Sequence, residues 1–74
     1  MVEFRIKINP KERLAYIPKE VFEALGPRLK MKTDRYAAII FPENLDRELL
    51  IRSLTLLLED LKLENLKVQN TPVG

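Results

Sequence analysis

Apolar and charged residues alternate strictly over residues 2–8, the two-residue period of a half-buried strand. Val2, Phe4, Ile6 and Ile8 fall on one face and Glu3, Arg5 and Lys7 on the other. Asn9-Pro10-Lys11-Glu12 has the composition of a turn, with proline at its second position. A second short strand is predicted over residues 13–17, rich in the β-formers Tyr16 and Ile17. Its alternation sets Ala15 and Ile17 against Leu14 and Tyr16, so both faces are apolar and both need cover.

Residues 17–26 break the strand period and predict a very short helix. Pro18 suits the first helical position, where a missing N–H costs nothing. Glu20 places negative charge in the first turn and can reach back to a free N–H at the helix start. Gly26 followed by Pro27 marks the stop, with Gly26 expected in a left-handed conformation. Val21 and Leu25 share a face, so the helix plugs something formed by its flanks. Alternation resumes after it: Leu29, Met31 and Thr33 on one side, Arg28, Lys30 and Lys32 on the other. Asp34-Arg35 is read as a tight turn. The apolar run over residues 36–41, stopped by Pro42, is read as a strand covered on both faces.

A long helix is expected from an N-cap near Asn44, with Asp46 and Glu48 in its first turn, to about Leu63, with Asn65 as its stop. Leu50, Leu54, Leu57 and Leu61 follow the 4-3-4 spacing of a coiled-coil seam, and Leu49, Leu56 and Leu63 form a second row. Ile51 and Leu58 widen the apolar surface until only a narrow polar stripe remains. Such a helix needs more cover than four short strands supply. The competing reading is an ordinary core helix packed within its own domain.

Size sharpens that picture. A 74-residue chain buries only about 60% of its unfolded surface, so a single-chain core is marginal. With no cysteine and no histidine, neither disulfides nor a thiolate zinc site can compensate, and oligomerisation is the remaining route. The same absences remove the commonest catalytic bases, nucleophiles and soft metal ligands. Ser53 is the only serine and sits mid-helix, and the two glycines make no phosphate-cradling loop. An enzyme is therefore not expected, and no cofactor or metal is expected either. No apolar run approaches the roughly 20 residues that span a bilayer, and the alternating start does not read as a signal peptide. A cytoplasmic protein without membrane contact is expected.

Charge is unevenly spread. Residues 1–42 hold nine Lys/Arg and five acids, a net +4, whereas residues 43–74 hold four and six, a net −2. Arg5 and Lys7 project from strand one, Lys11 and Arg13 flank its turn, Lys19 opens the short helix, and Arg28, Lys30 and Lys32 line strand three. Long basic side chains on strands and turns can meet phosphates, and arginine can read guanine edges in the major groove. A two-fold dimer would offer two such sets to a roughly palindromic duplex. No aromatic series interleaves with the basic residues, which argues against a single-strand stacking platform. Alternating Lys/Arg also protects sheet edges from aggregation, a role that needs no ligand.

Strand, turn, strand, then Ile17-Pro18-Lys19-Glu20 through Ala24-Leu25-Gly26, then a second hairpin ending before Pro42, resembles the AbrB/MazE/SpoVT swapped-hairpin group. The resemblance covers about residues 2–42. It implies an intertwined homodimeric barrel in which two chains exchange hairpins. It also implies a transcription regulator or the DNA-binding half of a toxin–antitoxin pair. Lys7 matches a basic strand-one residue of that group. The group often has Gly-Arg directly before the second strand; here Glu12-Arg13 falls one place earlier, and Leu14 stands where that arginine would be. Phe22-Glu23 stands where AbrB-type members carry basic residues.

The chain is thus expected to be α+β, mainly β: an intertwined homodimeric swapped-hairpin barrel over residues 1–42, an oligomerisation helix over 43–66 and a flexible tail over 67–74. The expected function is sequence-specific double-stranded DNA binding by a homodimer or higher oligomer, a tetramer included, in transcriptional regulation. Arg5, Lys7, Lys11, Arg13 and Lys19 are the expected DNA contacts, and Leu50, Leu54, Leu57 and Leu61 the oligomerisation row. The alternative is an antitoxin-like or scaffolding module that holds another protein, such as a toxin, through the leucine-rich helix.

Overall fold

The computed structural model describes residues 2–69. The elements run β1 (Lys7–Asn9), β2 (Leu14–Tyr16), α1 (Lys19–Leu25), β3 (Leu29–Thr33), β4 (Ala38–Pro42) and α2 (Arg47–Gln69). This is a small α+β chain: two separate antiparallel hairpins, one short connecting helix and one long C-terminal helix. Val2–Leu45 forms one compact unit, and the segment from Asp46 forms another.

In the first hairpin Lys7 pairs with Tyr16, Ile8 with Ala15 and Asn9 with Leu14. The expected strand over residues 2–8 is shortened at its start, because its partner ends at Tyr16. Beyond that lie Ile17 and Pro18, and Pro18 has no N–H to donate to a ladder. Residues 2–6 therefore run on without a strand partner. Arg13, expected to open the second strand, lies in the turn instead. Asn9 organises that turn: its Oδ1 accepts the backbone N–H of Lys11 (3.1 Å) and of Glu12 (3.3 Å). Its carbonyl accepts the N–H of Arg13 at 2.7 Å. Closing the turn puts Arg13 at φ 59°, a left-handed backbone that a non-glycine residue adopts at a cost of order 1–3 kcal/mol.

Helix α1 begins one residue later than expected, with Pro18 as its N-cap rather than its first helical residue. The Pro18 carbonyl accepts the N–H groups of Val21 and Phe22, both at 3.0 Å. Glu20 lies in the first turn, but no side-chain hydrogen bond caps the helix, so its contribution is electrostatic. At the far end the Gly26 N–H donates to the Phe22 carbonyl at 2.8 Å. Gly26 has φ 85° and ψ −178°, not the left-handed helical pair. Only glycine adopts that combination readily, and it turns the chain straight into extended β3.

The second hairpin pairs Leu29 with Pro42, Lys30 with Phe41, Met31 with Ile40, Lys32 with Ile39 and Thr33 with Ala38. Its connection is a four-residue loop, 34–37, closed by the Asp34 N–H on the Ala37 carbonyl at 2.8 Å, rather than a tight Asp34-Arg35 turn. The Arg35 guanidinium lies 5.9 Å from the centre of the Tyr36 ring. A further bond from the Glu43 N–H to the Arg28 carbonyl (3.0 Å) carries the ladder past Pro42.

Helix α2 starts at Arg47, three residues after the predicted N-cap. Asp46 takes the capping role, its Oδ1 accepting the Glu48 N–H at 3.0 Å. A carboxylate at that place satisfies a free N–H and complements the helix dipole together. The helix also runs past Asn65 to Gln69, because Leu66 and Lys67 are good helix formers and no glycine or proline intervenes. Lys67, expected in a flexible tail, sits in the last turn at the negative end of the dipole. The rest of that predicted tail, residues 70–74, lies outside the described residues.

Phe41 is the one buried side chain among the described residues, at 8% exposure. Eighteen large apolar side chains are exposed, eight of them on α2. Two-stranded hairpins without a shared core are marginal in water. The chain as it stands lacks the buried surface from which domains draw most of their stability.

Candidate nucleic-acid and assembly interfaces

The first hairpin carries four exposed cations: Arg5 on the lead into β1, Lys7 on β1, and Lys11 and Arg13 in its turn. Lys11 and Arg13 are held at the tip by the Asn9 hydrogen bonds, so the loop backbone is fixed while the side chains stay in solvent. Among the described residues, none of the four is drawn into an ion pair. Lys7 shares its face with Tyr16 and Leu14, both exposed, so the basic face is amphipathic rather than purely charged. All four are exposed, as are the apolar residues Phe4, Ile6 and Ile8 that alternate with them. The sequence pattern could not show that Arg13 sits in a left-handed turn.

Lys19 is placed differently. It is the first residue of α1, and its Nζ lies 3.7 Å from Glu23 Oε1. Both side chains are largely in solvent, so the pair contributes little to stability. It does neutralise the one basic residue of α1 toward an incoming anion. With Glu20 and Glu23 against one lysine, α1 offers no net positive face.

On the second hairpin Lys30 and Lys32 share their face with Phe41 and Ile39 across the ladder. Alternation along β3 alone suggests a purely basic outer face. The pairing puts the most buried side chain of the described residues on it. The long aliphatic stems of Lys30 and Lys32 are suited to covering such a neighbour while their ammonium groups stay wet.

Two apolar surfaces accompany the basic one. Val2, Phe4, Val21, Ala24 and Leu25 line an open groove of about 600 Å³, with Glu20 as the only charged residue at its wall. Val21 and Leu25 are thus the plugging face predicted for the short helix, but in the single chain the groove they line is open. The second surface is α2. Of the predicted oligomerisation row, Leu50 and Leu54 are half-buried while Leu57 and Leu61 are exposed. Leu49, Ile51, Leu56, Leu58, Leu63 and Leu66 are exposed as well. Covering a half-exposed leucine is worth about 1 kcal/mol before the costs of association, and these eight side chains are spread around the helix, so no single partner covers them all. Among the described residues no helix is long and apolar enough to cross a membrane.

Comparison with protein-family models, with curated proteins and with solved structures finds no match to this chain.

Proposed function

We propose that the chain acts as a homodimeric, double-stranded DNA-binding regulator in which two copies complete one intertwined barrel of the swapped-hairpin kind. The observation that carries this reading is the first hairpin, with four cations unpaired among the described residues: Arg5 and Lys7 on the way into and along β1, and Lys11 and Arg13 in the turn that Asn9 closes. Two features support the dimer. Residues 2–6 alternate as a strand yet have no strand partner, and the groove beside Phe4 and Val21 is open. A second copy would supply both the missing strand and the missing cover. The likeness of residues 17–26 to the AbrB/MazE/SpoVT pattern agrees in kind and order. Arg5, Lys7, Lys11 and Arg13 are the proposed DNA contacts. Lys19 is the weakest of the five candidates because Glu23 already holds it.

Titration of duplex DNA at several salt concentrations tests this. Four contacts per chain, doubled in a dimer, should give a steep fall of log affinity with log salt, at about −0.9 per phosphate neutralised. Absence of binding at low ionic strength would sink the proposal. A second reading, a module that holds a different protein such as a toxin, is favoured by one observation, the eight exposed apolar side chains of α2. It needs no DNA and predicts salt-insensitive association with that protein.

A further inference from the structure

Helix α2 carries two leucine rows, and both are open at least in part: in the first, Leu57 and Leu61 are exposed. Leu50 and Leu54 of the first row are half-buried. The second row is open: Leu49, Leu56, Leu63 and Leu66 are 50–58% exposed. It continues through Arg52 and Glu59 in steps of 3, 4, 3, 4 and 3, the spacing of a coiled-coil seam. An otherwise leucine seam therefore contains one cation and one anion on either side of Leu56, Arg52 four residues before it and Glu59 three after it. Neither has an ion-pair partner among the described residues.

We infer that this row is the contact between α2 and the α2 of a second copy, packed antiparallel about a two-fold axis beside Leu56. The inference rests on the homo-oligomer reading above and adds the face and the polarity. Charge decides the polarity. In a parallel pair each position meets its own copy, which would set arginine on arginine at 52 and glutamate on glutamate at 59. In an antiparallel pair centred at Leu56, Arg52 lies one residue's rise, about 1.5 Å along the axis, from level with the partner's Glu59, and Glu59 likewise from the partner's Arg52, within reach of both side chains. Two ion pairs then bracket an apolar centre, and like charges exclude the reverse arrangement. Such a contact is isologous, the same patch on both copies, as two-fold symmetry requires.

The chain has no cysteine, so single introduced thiols report position cleanly. In full-length protein, Leu56→Cys should form a covalent dimer on oxidation at least about tenfold faster than Leu49→Cys or Leu63→Cys. In the antiparallel pair Leu49 lies about 20 Å along the axis from its own copy. A disulfide needs Cα atoms within about 7 Å. Equal cross-linking at all three positions would mean a parallel pair, and none at any would leave the row to a different protein; either overturns the inference. Adding Arg52→Glu to Leu56→Cys should slow cross-linking on the order of tenfold, and adding Glu59→Arg to that should restore it. The rescue distinguishes a broken ion pair from a misfolded helix, and an Arg52→Glu variant that cross-links normally also overturns the inference. Duplex titration of the unmodified chain is read beside these. Loss of DNA binding with the cross-linking pattern intact removes the regulator reading and leaves the helix pairing standing.

Discussion

The hairpin unit and helix α2 both expose apolar surface, but they are incomplete in different ways. In α2 the backbone is self-sufficient, since every interior N–H has its own carbonyl four residues back. Only its side chains lack cover. In the hairpins each strand is an edge, so half of the backbone groups as well as the apolar faces are left open. A partner for the hairpins must therefore match register residue by residue. A partner for α2 needs only a leucine row and a compatible charge. Register-matched pairing is the more demanding, so specificity is expected to reside in the hairpins and additional assembly in the helix.

Four substitutions test that contrast. Phe41→Ala removes the one buried side chain among the described residues and should cost about 3–5 kcal/mol, read by denaturant unfolding. A loss under about 1 kcal/mol would mean that the hairpin unit is not organised around it. Leu56→Glu should lower the assembly mass seen by light scattering while leaving the hairpins folded. Leu54→Glu should do so less, because Leu54 is already half-buried. An unchanged mass for Leu56→Glu would count against the helix as an assembly element. Gly26→Ala should destabilise by about 1–3 kcal/mol although no atom lies within 4 Å of the added methyl, because the cost is in the backbone. A neutral effect on the thermal midpoint would show that the link into β3 is looser than its dihedrals imply.

Arg13→Gly gives the smallest shift and separates stability from function. Glycine at φ 59° relieves the turn, so stability should stay level or rise by up to about 1 kcal/mol. DNA affinity should fall at the same time, with the salt slope reduced by about 0.9 per chain. A variant that loses stability and keeps its affinity would remove Arg13 from the interface.

Element type and order were legible from period together with stop and start residues: the short helix was marked by Pro18 and Gly26-Pro27 and the last strand by an apolar run ending at Pro42. Boundaries were less so, and the misses share a cause: each depended on a partner group. Residues 2–6 look like strand, but strand is a property of a pair, and β2 ends at Tyr16. Asn44 and Asp46 both resemble N-caps, and the carboxylate nearer the leucine rows prevailed. The four-residue loop in place of a tight Asp34-Arg35 turn slips the β3–β4 register by two residues. An even slip leaves every side chain on its predicted face. Lys30 and Lys32 therefore keep their face, and the register sets Phe41 and Ile39 across from them on it. The basic residues were readable because lysine and arginine are rarely buried. The backbone beneath Arg13 was not, since nothing in its own side chain asks for a positive φ.

With one buried side chain among the described residues, the dimer reading makes the fold depend on concentration. On the dimer reading, folding and association are one equilibrium, and the unfolding midpoint rises as protein is added. Below its dissociation constant such a chain is open to proteolysis, and above it both the fold and the paired basic hairpins appear together. The level of the protein would then set its own threshold of action, without any ligand to switch it.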